Sequence, residues 1–372
     1  MKIAFIRKNY TPYGGAENYL RLVCKGLQAQ GNEVHIFSAN KWTDSKLPVH
    51  EIRTVKKPSF LSNMLFALNS RDTLRKETFD CIFSFERTFY QDIYRAGDGC
   101  HREWLDRRRA VEPFYKNMSF SLNPHHLTML YLERQCLLNS KLILANSMMV
   151  KKDILRHYSL PEGKIKVIYN GVDLERFYPM SAEEKARSKS SLGIKGDKAI
   201  LFVGADFKRK GLATLLNAFS LLDIGDKKLI VAGKKAMPQY FKMAKKLRID
   251  KNVVFCGPVK EIEKLYAAAD LFVLPTIYDP FSNAALEAMA AGIPVITTSS
   301  NGASEIISNG VDGFVINNPL DANAFAGKIS IALVQAEDMG ERARSKAEGF
   351  SIEKALDGII DTISDYRGRF GS

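Results

Sequence analysis

Short apolar runs recur along this chain with amphipathic stretches between them, and that alternation limits the possible folds more than any other feature. Two neighbouring parallel strands need a crossover connection between them, so repeated strand–helix–strand units commit a chain to parallel sheets. KIAFI (2–6) is followed by a helical pattern near 15–30 and then by EVHIFSA (33–39). CIFSF (81–85), KLILAN (141–146) and KIKVIYN (164–170) read as further buried strands, with helical patterns at 121–139 and 147–158. The alternation pauses at NGVDLERFYP, a turn-like candidate linker, and restarts at AILFVG (199–204). KLIVAG (228–233), NVVFCG (252–257), LFVLPT (271–276), PVITT (294–298) and GFVI (313–316) follow with helical stretches among them, and SIEKALDGIIDTISDY (351–366) closes the series. The expected class is α/β, with two Rossmann-like doubly wound domains in tandem at 1–170 and 171–350, facing a cleft. Ligands in such sheets bind beyond the carboxyl ends of the strands.

Composition narrows the setting. With 46% hydrophobic and 26% charged residues the chain is of ordinary globular type. No apolar run approaches the roughly 18–20 residues of a membrane span. The first apolar run is too short for a signal-peptide core, so a cytoplasmic protein is expected. Five cysteines, at 24, 81, 100, 136 and 256, form no C-x-x-C pair, which favours buried free thiols over a disulfide framework or zinc site. The net charge of +13 is concentrated at one end. Residues 1–170 hold 27 Lys and Arg against 16 Asp and Glu, and the remainder hold 27 against 25. A basic first half suggests a polyanionic partner: nucleic acid, an anionic membrane surface or a phosphorylated substrate.

Four loops lie where strands hand over to helices. In NYTPYGGAENYL (9–20), Gly14 and Gly15 open a helix, so backbone N–H groups can approach an anion there. The dinucleotide fingerprint G-x-G-x-x-G occurs nowhere, which disfavours a nicotinamide enzyme. In VGADFKRKG (203–211), Arg209 and Lys210 follow a strand-end glycine and precede a helix, a placement suited to a diphosphate. The P-loop pattern is absent as well, so a nucleoside-triphosphate hydrolase is disfavoured.

The third loop belongs to YDPFSNAALEAMAAGIPVI (278–296). Ser282 suits the N-cap of a helix starting at Asn283, and the N–H groups of Phe281, Ser282 and Asn283 could face a phosphate or sugar. Asp279 precedes the helix. Glu287 lies roughly 7.5 Å along the axis from the cap, at about 1.5 Å per residue. A carboxylate there accepts hydrogen bonds from paired hydroxyls such as those of a ribose or hexose. In YRAGDGCHREWL (94–105), Asp98 between two glycines suggests close backbone approach, while His101 is a weaker candidate base.

These loops, together with NGVD at 170–173 and AAADLFVLPTIYDPFSNAALEAMAAGIPVITT, resemble the family-four retaining glycosyltransferases of GT-B architecture over nearly the whole chain. ADFKRKG, RAGDG and the basic first half are similar to the bacterial lipopolysaccharide core glucosyltransferases. The resemblance implies an acceptor on the first domain and a nucleotide-sugar on the second, with a terminal helix at about 351–372 crossing back to the first. It implies that Arg209 and Lys210 bind the donor diphosphate, with Gly15, beside Gly14, approaching from across the cleft. Glu287 would hold the ribose hydroxyls. Asp279 and the N–H groups after it would hold the transferred sugar, and Val259 would meet the base through main-chain groups. Asp98 falls where relatives place a polar residue, often His, against the sugar's 6-hydroxyl. One departure is visible: the usual E-x7-E is D-x7-E here, with Asp279 first.

The implied reaction moves a hexose, glucose from UDP-glucose, with retention, onto a membrane-linked glycan such as lipopolysaccharide inner-core heptose. Alternatives are GDP-mannose, UDP-galactose or UDP-N-acetylglucosamine on another envelope or exopolysaccharide acceptor, or a nucleotide-sugar epimerase or hydrolase of the same fold. D-x-D is absent from all 372 residues, so neither a metal nor another cofactor is expected. The expected partners are the nucleotide-sugar, a lipid-linked or phosphorylated glycan and an anionic membrane on the inner face of the plasma membrane, and not nucleic acid.

Overall fold

The structure, a computed structural model, describes residues 1–9, 15–40, 47–113, 120, 122–194, 198–234 and 237–370. The chain divides into two compact units, Met1–Tyr169 with Glu353–Ser372, and Asn170–Ile352.

The first unit is built on seven parallel strands: β1 (Lys2–Ile6), β2 (Glu33–Ser38), β3 (Val49–Glu51), β4 (Cys81–Ser84), β5 (Ile93–Ala96), β6 (Leu142–Ala145) and β7 (Ile165–Val167). Their order across the sheet is β3-β2-β1-β4-β5-β6-β7, so the winding reverses between β1 and β4. The helices fully within the described residues before the linker are α1 (Gly15–Ala29), α2 (Ser59–Leu74), α3 (His101–Val111), α4 (Pro124–Asn139) and α5 (Met148–His157). Neither β3 nor α2 stands out as an element in the sequence. The buried stripe of α2 is Ser62, Phe66, Ala67, Ser70 and Leu74, so two of its five core-facing residues are serines and the apolar period is blurred.

The second unit has six parallel strands: β8 (Lys198–Gly204), β9 (Lys227–Gly233), β10 (Val253–Gly257), β11 (Leu271–Leu274), β12 (Val295–Thr298) and β13 (Gly313–Ile316). Their order is β10-β9-β8-β11-β12-β13, with reversal between β8 and β11. All six strands were legible in the sequence, because each is a nearly unbroken apolar run, as strands covered on both faces require. The helices are α6 (Ala182–Ser191), α7 (Leu212–Ser220), α8 (Pro238–Lys246), α9 (Glu263–Ala268), α10 (Asn283–Ala290), α11 (Ala322–Val334) and α12 (Ala336–Ala347).

The last helix, α13 (Ile352–Phe370), belongs to the first unit for almost its whole length. Ile359, Ile360, Ile363 and Tyr366 join one buried cluster with Ile3 and Phe5 of β1 and Leu20, Val23 and Leu27 of α1. Fully burying side chains of this size contributes about 1.5–3 kcal/mol each, which explains why a terminal helix stays docked. Tyr366 also donates from its hydroxyl to Asp92 Oδ1 at 2.7 Å and accepts from Lys141 Nζ at 2.8 Å. All five cysteines are free, four of them buried. Among the described residues no helix is long and apolar enough to cross a membrane.

Two glycines are fixed by close packing. In NGVD, a Cβ on Gly171 would stand 2.4 Å from Ser351 O, because the backbone of Val172 pairs with Ser351 there. Gly211 has φ +81°, and its Cβ would stand 1.9 Å from Pro275 O. Gly211→Ala is therefore expected to lower stability by about 2 kcal/mol or more, from left-handed strain and backbone collision together. Urea unfolding measures this; a midpoint equal to wild type would show that the loop relaxes without cost.

Candidate active site

The donor candidates meet where the winding of the second sheet reverses. The loop after β8 forms a tight turn, with Arg209 N–H donating to Asp206 Oδ1 at 3.2 Å and Lys210 N–H to Asp206 O at 2.9 Å. Its far side is pinned to the end of β11: Arg209 O accepts from Ile277 N–H at 2.9 Å and from Thr276 Oγ1 at 3.1 Å. Arg209 and Lys210 are thereby held against the segment after β11. Arg209 Nη1 donates to Tyr278 O at 2.8 Å and lies 4.0 Å from Asp279 Oδ1. Lys210 Nζ is ion-paired with Asp279 Oδ2. The Asp279 side chain is 7% exposed, against 12% for Lys210 and 27% for Arg209. Arg209 Nε also lies 3.8 Å from Asp206 Oδ2, so two cations and two carboxylates meet at the mouth of a sheet crevice, the edge where ligands of such sheets bind.

Asp279 is itself locked by backbone. Its N–H donates to Ser300 O and its carbonyl accepts from Gly302 N–H, each at 2.9 Å. Asn301, buried between those partners, accepts at Oδ1 from Ser282 N–H and from Ala303 N–H, each at 3.1 Å. Ser282 is the N-cap of α10, its hydroxyl accepting from Ala285 N–H at 3.4 Å. The Ser282 N–H is thus taken by Asn301, and the structure gives this residue to helix capping rather than to a ligand. Phe281 is buried, whereas Asn283 is exposed, with its Oδ1 accepting from Asn170 Nδ2 at 2.8 Å. The NGVD segment therefore reaches the first turn of α10.

Glu287, half-buried, accepts at Oε2 from the hydroxyl of Tyr266 at 2.8 Å. That hydroxyl also donates to Ala284 O at 3.1 Å, and the Tyr266 ring meets Phe177 edge-on at 5.5 Å between centroids. Burial pushes the Glu287 carboxyl above the usual glutamate range, opposed by the Tyr266 hydrogen bond and the charges of Arg176 and Lys210 and reinforced by Glu263. Val259 is half-buried in the loop after β10, also at the carboxyl edge of this sheet.

In the first unit, Asp98 is exposed in the turn after β5, where Gly99 takes φ +72°. Arg87 Nη2 donates to Gly99 O at 2.8 Å and so ties this turn to the end of β4. His101 begins α3. Its Nε2 lies 3.2 Å from Nδ1 of His126, and burial lowers its pKa to about 3, so it is a packed neutral imidazole. Gly15 is the first residue of α1, and Gly14 lies outside the described residues.

Three contributors escaped sequence reasoning. Tyr266 looked like one more core aromatic in α9, and only its contact with Glu287 gives it a role. Arg176 lay in a stretch read as linker, yet its charge acts on Glu287. Asn301 orders both Asp279 and Ser282 from the end of β12. An asparagine placed directly after a buried parallel strand was the available signal.

Two doubly wound parallel units in one chain, one of them with charged residues gathered at its switch point, form the architecture of the GT-B glycosyltransferases. Residues 13–176 match the family described as Glycosyltransferase Family 4, and residues 184–348 match Glycosyl transferases group 1. The chain belongs to this family of group 1 glycosyltransferases. It is 29% identical to a glycosyltransferase of Methanocaldococcus jannaschii, with 84% of each chain covered. It is 25% identical to the lipopolysaccharide glucosyltransferase WaaG of Escherichia coli, covering 90% of each. The crystal structure of WaaG superposes with a TM-score of 0.84, at 22% identity over 97% of this chain and 99% of that one. HepE of Anabaena, in complex with UDP-glucose, gives 0.75 at 19% identity over 98% and 100%.

The raised carboxyl of Glu287 has a measurable consequence. A carboxyl that titrates higher in the fold than in the unfolded chain costs folding free energy once pH rises through the folded value. Glu287→Gln removes that cost and keeps an oxygen for the Tyr266 hydroxyl. Its melting temperature should therefore rise relative to wild type, the gap opening as pH climbs from below the ordinary glutamate range and then levelling. A gap that stays constant with pH contradicts this assignment.

Proposed function

We propose that this enzyme transfers glucose from UDP-glucose, with retention at the anomeric carbon, to a membrane-linked glycan of the lipopolysaccharide inner-core heptose type. The observation that carries the reading is the placement of Arg209 and Lys210 against Asp279, with Glu287 on the same helix-bearing segment. Two adjacent cations match the two charges of a diphosphate, one forked and one a point charge. The carboxylate of Glu287, oriented by Tyr266, suits a ribose diol, whose two hydroxyls both donate. Asp279 suits hydroxyls of the transferred sugar, and Val259 lies on the edge where the base would meet main-chain groups. Asp98 would take the sugar's 6-hydroxyl and the N–H of Gly15 the diphosphate, while Gly14 lies outside the described residues. The likeness to WaaG, named a lipopolysaccharide glucosyltransferase, and to HepE, solved with UDP-glucose, supports this donor.

The chemistry asked of the protein is stabilisation of a leaving diphosphate. As the glycosidic C–O bond breaks, negative charge grows on the β-phosphate oxygen, and preorganised cations there act on the transition state more than on the bound substrate. The departing diphosphate takes the acceptor proton, so no carboxylate is required as nucleophile or base. We read the enzyme as independent of divalent metal and of any other cofactor. The basic first unit would lie on an anionic membrane face at the inner side of the plasma membrane, where a lipid-linked or phosphorylated acceptor resides.

A thermal-shift panel tests the donor. UDP-glucose at 100 times its dissociation constant adds about 2.7 kcal/mol to unfolding and should give the largest rise in melting temperature. A larger rise with GDP-mannose, UDP-galactose or UDP-N-acetylglucosamine would reassign it.

Lys210→Ala should lower kcat/KM by roughly two orders of magnitude, with wild-type turnover persisting in EDTA. A variant within twofold of wild type would remove Lys210 from the diphosphate site, and turnover abolished by EDTA and restored by manganese would refute metal independence.

A further inference from the structure

The first sheet has its own reversal of winding, between β1 and β4, and the strand ends there carry charged groups for which donor binding has no use. Arg7 and Lys8 follow β1, and Glu86 follows β4. Glu86 Oε1 accepts from the backbone N–H of Lys8 at 3.1 Å and lies 3.3 Å from Arg7 Nη1. Its side chain is 23% exposed, and Oε2 has no hydrogen-bond partner among the described residues. Lys8 turns its ammonium away, donating to Asn63 Oδ1 at 2.6 Å. Asp98 sits near enough for its charge to be felt at Glu86. Among the described residues no hydrogen bond or ion pair holds the Asp98 carboxylate.

Burial raises the Glu86 carboxyl, against the lowering charge of Arg7 and with Asp98 adding to the rise. Burial lowers the Lys8 ammonium, against the charge of Glu86. Titratable groups perturbed by burial and by each other's charge at a sheet switch point are candidates for a ligand site.

The chemistry of the groups restricts the ligand. Oε2 of Glu86 and both oxygens of Asp98 only accept hydrogen bonds when ionised, so the ligand must donate. A phosphate placed against two carboxylates is repelled. Among the described residues no three His, Cys, Asp or Glu side chains are grouped to hold a metal ion. Hydroxyl groups on an uncharged ring meet every condition.

We propose that Glu86 binds the acceptor, taking a hydrogen bond at Oε2 from a hydroxyl of a neutral sugar ring. The inference rests on the glycosyl-transfer reading and adds to it the residue and the part of the acceptor that is recognised. Any phosphate on the acceptor is then bound away from this crevice. Glu86 is a positioning residue for the incoming ring, and Asp98 next to it keeps its proposed place on the donor sugar.

The test uses the full chain, UDP-glucose and a heptose-terminated inner-core oligosaccharide stripped of its acyl chains, together with its monodeoxy analogues. Glu86→Gln, which keeps shape and removes charge, should raise the acceptor KM about tenfold or more, the scale of a hydrogen bond to a charged group. Its UDP affinity and its slow hydrolysis of UDP-glucose should stay within twofold of wild type. One monodeoxy analogue should cost wild type the same factor and cost the variant nothing, a coupling that a merely structural role would not produce. If Glu86→Gln does not fold, Glu86→Asp, which keeps the charge on a shorter side chain, is put through the same measurements. An acceptor KM within twofold of wild type, or loss of UDP affinity in parallel, overturns the proposal and leaves the glycosyl-transfer reading standing. A wild type that binds UDP-glucose but transfers to none of these acceptors overturns the acceptor class, and this inference with it.

Discussion

Parallel strands impose one constraint from which the sites of both units follow. Every strand must be reached by a crossover from the same direction, so all carboxyl ends open on a single edge of the sheet. Loops are anchored there by the last ladder hydrogen bonds and lead into helix N-termini, so polar residues can be held rigidly without a buried strand carrying them. Where the winding reverses, two crossovers leave in opposite directions and a crevice opens between their loops. In the second unit that crevice brings Arg209 and Lys210, after β8, against Asp279, after β11. In the first it brings Arg7 and Lys8 against Glu86.

Charges at these edges are kept by being shared. Lys210 and Asp279 are both mostly buried, and each would be costly alone. Their pairing makes the arrangement tolerable, and Arg209 beside them also lies 3.8 Å from Asp206. Glu287 is the opposite case. Its nearest partner is a neutral phenol, and that hydrogen bond, followed by the charges of Arg176 and Lys210, only partly offsets the rise that burial imposes. Such a carboxylate costs the fold stability in its ionised form.

The first unit holds its own loops with a more deeply buried network. Glu133, its side chain 2% exposed, accepts at Oε1 from His101 N–H at 2.6 Å and at Oε2 from Arg102 N–H at 3.1 Å. It also pairs with Arg87 at 3.1 Å and accepts from the Tyr158 hydroxyl at 2.7 Å. One carboxylate from the middle of α4 thus satisfies the opening N–H groups of α3 and fixes the arginine that grips Gly99. The turn bearing Asp98 is rigid for that reason, although Asp98 itself is exposed. Removing one partner of so buried a group is far more damaging than removing a surface pair.

The sequence by itself determined the parallel α/β architecture, because apolar runs long enough to be covered on both faces can pack in few other ways. It also determined the Ser282 cap and marked Arg209, Lys210, Asp279 and Glu287 one by one, because cap chemistry and charged residues at strand–helix junctions are local signals, whereas sheet order decided that Lys210 meets Asp279, 69 positions on. It was silent on α2, whose core stripe contains serines, and on β3, which has only three residues. Only the tertiary structure decided that Asn301 takes the Ser282 N–H, that Tyr266 orients Glu287, and that one oxygen of Glu86 has no partner among the described residues beside Arg7. Those facts join residues 19 to 79 positions apart, and no local pattern encodes a distance that sheet order alone creates.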